Sequence, residues 1–394
     1  MPKGRIKSSS PPKVALLVET SNAYARGMLA GIEDFISAYG PWSVYLGEHG
    51  RGDQPPPWLA GWQGDGIIAR VENANIARSL AATGLPVVNL SFDSLIAGAP
   101  TFTTDNVGIA ELAVGHFLER GFSQFAYCGR REFVWSVDRG AAFERRLAVA
   151  GMTCAHFPQP RSIGADSDAE TDRIAAWLRR LPRPLAVFAC YDIRGQQVLD
   201  ACRRAGFVVP DEVAVLGVDN DELLCALSPP PLSSVNLNPR RSGWLAAQAL
   251  DSLMRGENVR TEVCFTPPLG VATRQSTDTM AVGDAQVAKA IRYIREHACE
   301  GAVVEDVLRA CPMSRRALEQ RMKAIIGRTP HAEILRVQIA RAKQLLASTA
   351  LPLPEIAEKC GFRHAEYLSV AFKRETGMAP SEYRREPRLF AIAP

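Results

Sequence analysis

Two stretches of this chain, fifty residues apart, follow one plan, and that repetition constrains the fold more than any other feature. The first runs from Glu305 to Ala310, breaks at Cys311-Pro312-Met313 and resumes from Ser314 to Lys323. The second runs from Leu353 to Cys360, breaks at Gly361-Phe362 and resumes from His364 to Arg374. Met322-Lys323, Gly327 and Pro330 recur as Phe372-Lys373, Gly377 and Pro380. The turns, Pro312 against Gly361, are one position closer, so the second copy carries an extra residue there. Each copy reads as helix, tight turn, helix. That layout can offer its second helix to a DNA major groove.

Leu318 and Met322, like Leu368 and Phe372, lie four apart and face a small core, which leaves the intervening side chains outside. For the first copy the DNA-facing candidates are Ser314, Arg315, Arg316, Glu319, Gln320 and Lys323. For the second they are Arg363, His364, Glu366, Ser369, Lys373 and Arg374. Arg and Gln bond base edges bidentately, whereas Lys323, Lys373 and Arg374 suit phosphates. Leu335, Ile339, Ala342 and Leu346 mark a helix between the copies. About eighteen residues at ~1.5 Å each make a rod of roughly 27 Å, near the ~34 Å between successive major-groove faces. Residues 281–394 hold 19 Lys and Arg against 13 Asp and Glu, leaving 27 against 29 in residues 1–280. The positive charge therefore gathers where phosphates are to be met. A helical protein-interaction module with a basic surface is the alternative.

From Lys13 the chain alternates short apolar runs with amphipathic segments. Strands are expected at Val14–Val18, Val44–Leu46, Gly66–Ala69, Pro86–Leu90, Phe125–Cys128, Leu185–Ala189 and Val213–Gly217. Helices are expected at 26–39, 76–82, 107–120, 139–150, 168–180 and 195–205. Regular β-α order implies parallel sheets covered on both faces, and roughly 260 residues of it exceed one core, so two lobes are expected.

Ligands in such sheets bind beyond the carboxyl ends of the strands. That position selects Tyr24 and Arg26 after the first strand, Asp105 at a helix start, and Trp135 and Arg139 after Cys128. Later strand ends supply Asp192 and Asp219. Carboxylates, Arg and a stacking aromatic suit a polyhydroxyl ligand, whose hydroxyls both donate and accept. Competing structural roles are a helix cap for Asp105 and packing beneath a loop for Tyr24 and Trp135.

The run Ala317-Leu318-Glu319-Gln320-Arg321 to Gly327-Arg328-Thr329-Pro330, with Ile356-Ala357, Cys360-Gly361-Phe362 and Pro380-Ser381-Glu382-Tyr383-Arg384, resembles the DNA-binding domain of the AraC/XylS family. Pro312 stands where that family usually has Gly. Gly27-Met28-Leu29-Ala30-Gly31, Thr104-Asp105-Asn106 and Val209-Pro210-Asp211 through Val218-Asp219-Asn220-Asp221 resemble the LacI/GalR sensor. The resemblance implies a two-lobed α/β, periplasmic-binding-protein-like (type I) sensor and an all-α C-terminal domain with two helix-turn-helix motifs. It places ligand contacts on Arg139 and Asp219, and none on Tyr191, where Asn is usual. The expected plan is a tail at 1–12, the sensor at 13–276, a linker at 277–284, the DNA-binding domain at 285–387 and a tail at 388–394.

The order sensor-then-reader is similar to that of the xylose-operon regulators. It implies a sugar, D-xylose or a related pentose, between the lobes, and operator DNA and RNA polymerase as partners. A homodimer is expected because linked readers gain effective concentration. No cofactor, metal or catalytic residue enters this reading. The nine cysteines form no CxxC pair, and no apolar run reaches membrane length or resembles an export signal, so a cytoplasmic protein is expected. An enzyme acting on a sugar or sugar phosphate is the other class of function; no GxxxxGK[ST], HExxH or GxSxG occurs.

Overall fold

The computed structural model describes residues 10–48, 50, 53–93, 95–158, 167–279, 284–349 and 351–385. Most of the expected tails and the middle of the linker lie outside them. The first lobe starts with β1 (Lys13–Leu17), α1 (Ala23–Tyr39), β2 (Ser43–Leu46), β3 (Gly66–Ala69), α2 (Ala74–Ala81), β4 (Val87–Asn89) and β5 (Thr101–Thr104). The chain then crosses into α3 (Asn106–Leu118), β6 (Gln124–Cys128), α4 (Val134–Val149), β7 (Cys154–His156) and α5 (Ser167–Leu178). The same lobe continues with β8 (Leu185–Ala189), α6 (Asp192–Ala205), β9 (Val213–Asp219), α7 (Glu222–Leu227) and β10 (Ser233–Asn236). It returns to the first lobe through α8 (Pro239–Met254) and β11 (Val263–Thr266), and crosses once more to β12 (Gly270–Ala272).

The sheets run β11-β5-β4-β3-β1-β2 and β12-β10-β9-β8-β6-β7, parallel throughout except for β12. β1 and β6 are the points at which strand order reverses, so both lobes open their ligand-binding ends there. The apolar pattern alone does not mark β5, β7, β10, β11, β12, α7 or α8. β5 and β10 read Thr-Phe-Thr-Thr and Ser-Ser-Val-Asn and are largely buried; Thr101, Ser233 and Ser234 are satisfied by hydrogen bonds rather than apolar packing. α1 and α8 cross in backbone contact. A Cβ on Gly31 would fall 1.9 Å from the Arg240 carbonyl oxygen, and one on Gly243 the same distance from that of Met28. Only glycine permits this approach.

The C-terminal domain holds α9 (Ala285–His297), α10 (Val304–Ala310), α11 (Arg315–Ile326), α12 (Pro330–Ser348), α13 (Leu353–Lys359), α14 (Ala365–Thr376) and α15 (Pro380–Arg385). Leu318 and Met322 enter one core with Val287, Ile291 and Ile294, while Leu368 and Phe372 enter another with Leu335, Ile339 and Leu346. α12 serves both, and its buried Gln338 donates to the carbonyls of Ala298 (2.9 Å) and Gly361 (3.3 Å), stitching the two units together. Gly361 has φ +77° and no room for a Cβ, which would lie 2.5 Å from the Ala298 carbonyl. The second turn therefore needs glycine, whereas the first makes its bend at Pro312 without it.

The linker begins later than the expected boundary at Thr277. Ser276 and Thr277 are fully buried in the second lobe. Ser276 donates to the Val215 carbonyl at 2.6 Å, and Thr277 to the Ser233 hydroxyl at 2.7 Å. From the last turn of α3, His116 Nε2 meets the Thr277 hydroxyl at 2.8 Å, and Arg120, just beyond the helix, donates to the Thr277 carbonyl at 2.7 Å. Burial, reinforced by Arg120, holds the His116 imidazole well below its usual pKa, in the neutral form. At the end of the same helix, Glu119 pairs with Arg336 of α12 at 2.6 Å, and its carbonyl accepts from Arg295 of α9 at 2.7 Å. The two-lobed domain thus holds the C-terminal domain through one helix terminus.

The glycine crossing makes a direct prediction for thermal unfolding of the full chain. Gly243→Ala should destabilise the sensor by about 1–3 kcal/mol or more. Gly115→Ala in α3, where a Cβ meets nothing within 4 Å, should be neutral or stabilising by up to about 1 kcal/mol. Equal behaviour of the two variants would contradict the packing described.

Candidate functional site

A narrow cavity lies between the lobes. The first lobe contributes Tyr24 from the start of α1, Arg70 after β3, Leu90, Ser91 and Phe92 after β4, and Thr103 and Thr104 of β5. The second contributes Trp135 and Arg139 of α4, Asp219 at the end of β9, and Leu237. Every polar group stands at or just beyond a strand's carboxyl end, or on the helix that follows it.

Tyr24, Trp135, Arg139 and Asp219 are thus brought together as the sequence suggests. Asn22 caps α1 by accepting from the Ala25 amide at 2.8 Å, which aims Tyr24 inward. Burial pushes the Tyr24 hydroxyl up to about 12, leaving it a neutral donor and acceptor. Arg139 is buried. Its Nε donates to the Asn106 side chain at 3.0 Å, one Nη bonds the Cys190 carbonyl, and its guanidinium lies 5.1 Å over the Trp135 ring. Phe133 stacks on Trp135 at 5.1 Å and Tyr191 meets its edge at 5.8 Å. An aromatic shelf therefore occupies the Tyr191 position, where the family usually has an amide.

Asp219 and Asn220 have φ +107° and +53°, and among the described residues no other non-glycine has positive φ. Strain of this kind persists only where neighbours fix it. Asp192 supplies the fixing: its carboxylate accepts from the Ser234 hydroxyl at 2.6 Å and from the Asp221 amide at 2.8 Å. A Cβ on Gly217 would sit 2.3 Å from that carboxylate, so β9 needs glycine to let it in. Burial, followed by the nearby Asp219 charge, raises the Asp192 pKa well above the usual range.

Three candidates do not line the cavity. Asp192 lies beneath it and shapes the turn bearing Asp219, for the reasons just given. Asp105 caps α3, accepting from the Gly108 amide at 3.0 Å, while its own amide bonds the Thr266 carbonyl at 3.1 Å. It is a crossover residue between the lobes. Arg26 is exposed and turned back on the Thr20 carbonyl at 3.0 Å, because it falls on the outer face of α1.

The pattern of apolar runs does not point to Arg70, Thr103 or Asn89. Asn89, buried at the end of β4, accepts from the Val71 and Ser91 amides and donates to the Ser91 and Asp93 carbonyls, which sets the Ser91–Asp93 loop. A lone polar residue closing an apolar strand is the only sequence signal such a role leaves.

On the reading helices, Arg316, Gln320, Lys323, Arg363, His364, Glu366, Lys373 and Arg374 are exposed. Arg315 is exposed too, and pairs with Glu305 at 3.1 Å and Glu319 at 3.0 Å. Exposed pairs of this kind are worth about 0–1 kcal/mol, so a nucleic acid can take Arg315 from them cheaply. Ser314 is the N-cap of α11, accepting from Ala317 at 3.2 Å, and Ser369 donates back to the Ala365 carbonyl at 3.0 Å. Tyr367 and Val370 also stand exposed on α14, an apolar face able to meet thymine methyls.

Relatives match nearly the whole chain. Residues 13–96 match the model of the XylR N-terminal domain, 114–277 the periplasmic binding protein-like domain and 307–386 a helix-turn-helix domain. The xylose operon regulatory protein of Escherichia coli (strain K12) is 32% identical over 382 residues, 94% of this chain and 96% of that protein. That of Haemophilus influenzae is 33% identical over 385 residues, 94% and 98% respectively. A solved structure of the xylose-binding transcription activator XylR superposes with a TM-score of 0.62 at 31% identity, covering 95% of this chain and 98% of that one. A LacI-type regulator from Alkaliphilus metalliredigens, complexed with D-xylulofuranose, shares the sensor fold at 19% identity and a TM-score of 0.55, over 68% of this chain and all of that one. These relatives are named as regulators, and the enzyme reading finds no support among them. The chain belongs to the family of xylose operon regulatory proteins, transcription regulators that join a periplasmic-binding-protein-like sensor to an AraC-type helix-turn-helix domain.

Proposed function

We propose that this chain senses D-xylose, or a closely related pentose, in the interlobe cavity and converts its binding into tighter engagement of operator DNA. The observation that carries the reading is the cavity itself. Tyr24 and Arg70 from one lobe face Trp135, Arg139 and Asp219 from the other, so one small polyol touches both. Its differential contact with the closed arrangement is what shifts the population.

The route to DNA runs along α3. At its cleft end Asn106 holds Arg139, and at its far end Glu119 holds Arg295 and Arg336. Thirteen residues at ~1.5 Å each give a rod of about 20 Å. A change in the setting of Arg139 is thereby passed to α9 and α12, and α12 joins the two reading units. We place α11 and α14 in successive major grooves. Arg315, Arg316 and Gln320, with His364, Glu366 and Ser369, read bases, and Lys323, Lys373 and Arg374 hold phosphates. A homodimer brings two such readers to neighbouring half-sites, where they recruit RNA polymerase, and the protein works in the cytoplasm. No helix among the described residues is long and apolar enough to cross a membrane.

In calorimetric titrations of the full chain against pentoses and hexoses, one pentose should bind best, and Asp219→Ala should weaken it by at least about tenfold through loss of a charged hydrogen bond. A protein that binds none of these sugars, or an alanine variant that binds as before, would count against the cleft. For DNA, Arg315→Ala should cost about 1–3 kcal/mol on promoter fragments. Lys373→Ala should weaken all sequences alike and lower the salt slope by about 0.9. Unchanged affinity for both variants at matched salt would show that these helices do not face the duplex.

A further inference from the structure

Arg70 is the one cavity residue whose hydrogen bonding is incomplete in an informative way. It follows β3 in the first lobe, is 8% exposed and lines the cavity beside Tyr24, with its guanidinium 5.7 Å over that ring. Two of its three nitrogens are committed: Nη1 to Glu19 at 2.6 Å and Nη2 to Glu72 at 3.0 Å. Its Nε is buried and has no hydrogen-bond partner. Leaving a charged donor unmet in a protein interior is costly, and such groups persist where something else completes them. The aromatic beneath, the two carboxylates behind and the cavity in front leave the guanidinium little freedom to turn away.

The opposite wall mirrors this arrangement. Arg139 lies over Trp135 in the second lobe as Arg70 lies over Tyr24 in the first. Asp219 interacts electrostatically with Arg70 across the gap. Around the cavity the formal charges are two guanidiniums, Arg70 and Arg139, against three carboxylates, Glu19, Glu72 and Asp219. A ligand entering this field gains from offering acceptor oxygens to both cations and gains nothing from carrying a negative charge of its own.

We propose that Arg70 is a specificity-determining residue of the cleft, whose Nε–H donates to one oxygen of a neutral sugar while Glu19 and Glu72 hold the rest of the guanidinium in place. The assignment rests on the cleft being the effector site. It goes beyond that reading in naming the first-lobe donor and in excluding sugar acids and sugar phosphates. Because Arg70 and Arg139 belong to different lobes, a sugar that bonds both ties the lobes together, so Arg70 also contributes to closure.

The test is titration of the full-length protein with D-xylose, D-ribose, L-arabinose, D-gluconate and the monodeoxy analogues of the best-bound sugar. Arg70→Lys keeps the charge beside Glu19 and Glu72 but removes the fixed Nε–H. It should weaken the best sugar by at least about tenfold, the scale of one charge-assisted bond. One deoxy position should cost wild type the same factor and cost the lysine variant nothing further. The pair Arg70→Met with Glu19→Gln removes both buried charges and guards against misfolding of the single variant; it should lose the same affinity. Lysine and double variants that bind every sugar as wild type does, while Asp219→Ala abolishes binding, would overturn the role of Arg70 and leave the cleft intact. D-gluconate binding more tightly than any neutral sugar would overturn the charge argument. A wild-type protein that binds no sugar would overturn both the cleft and Arg70.

Discussion

The chain passes between its two sheets three times, at 104–106, 236–239 and 266–270, and every functional feature of the sensor depends on that triple crossing. The three passages are tied to one another: the Asp105 amide bonds the Thr266 carbonyl, and the Leu269 amide bonds the Asn236 carbonyl. They define a hinge about which two otherwise separate cores can close. The cavity lies next to it, because parallel strands whose order reverses at β1 and β6 open their carboxyl ends toward one gap. Burial alone would not make this gap a sensor. What does is the placement of opposed polar groups on each side, so that a ligand meeting both is worth more when the lobes are close.

α3 makes the hinge consequential for the rest of the molecule. It starts at a crossover, is capped there by Asp105, and ends against the DNA-binding domain. His116 in its last turn and Arg120 just beyond its end grip Thr277 shortly before the chain leaves the sensor. The neutral His116 among Arg120, Arg295 and Arg336 is consistent with a buried joint kept free of additional positive charge. A tether alone would leave the two halves of the protein independent. The salt bridge from Glu119 to α12 gives the sensor a hold on the helix that spans both reading units.

Much of this was legible in the residues, for identifiable reasons. The two helix-turn-helix units announce themselves because their glycines, prolines and paired apolar positions must recur wherever the same geometry recurs. Val14–Val18 and Leu185–Ala189 are legible because strands of a covered parallel sheet are continuously apolar. β5 and β10 escape that pattern because their buried residues are largely Thr and Ser, and Ser233 and Ser234 are satisfied by hydrogen bonds to Arg274 and Asp192 that only the assembled lobe supplies. The cleft was half legible. Position after a strand located Tyr24, Trp135, Arg139 and Asp219 on the cavity wall but could not separate a residue lining the cavity from one supporting it. Asp192 and Asp105 fall in the second group, and Arg26 points outward because α1 begins three residues earlier than its apolar spacing suggests. Arg70 left no signal, being a single charge after a short strand, and its meaning depends on Glu19, fifty-one positions away.

The central claim is that sugar and DNA binding are two faces of one equilibrium, and linkage gives it a direct measurement. The affinity of the full-length protein for its own promoter DNA should be determined at fixed salt, without sugar and with saturating D-xylose. The account predicts a tightening of roughly 5- to 150-fold, the usual range of coupling between two sites. A protein that binds the sugar in the cleft while its DNA affinity stays the same would contradict it.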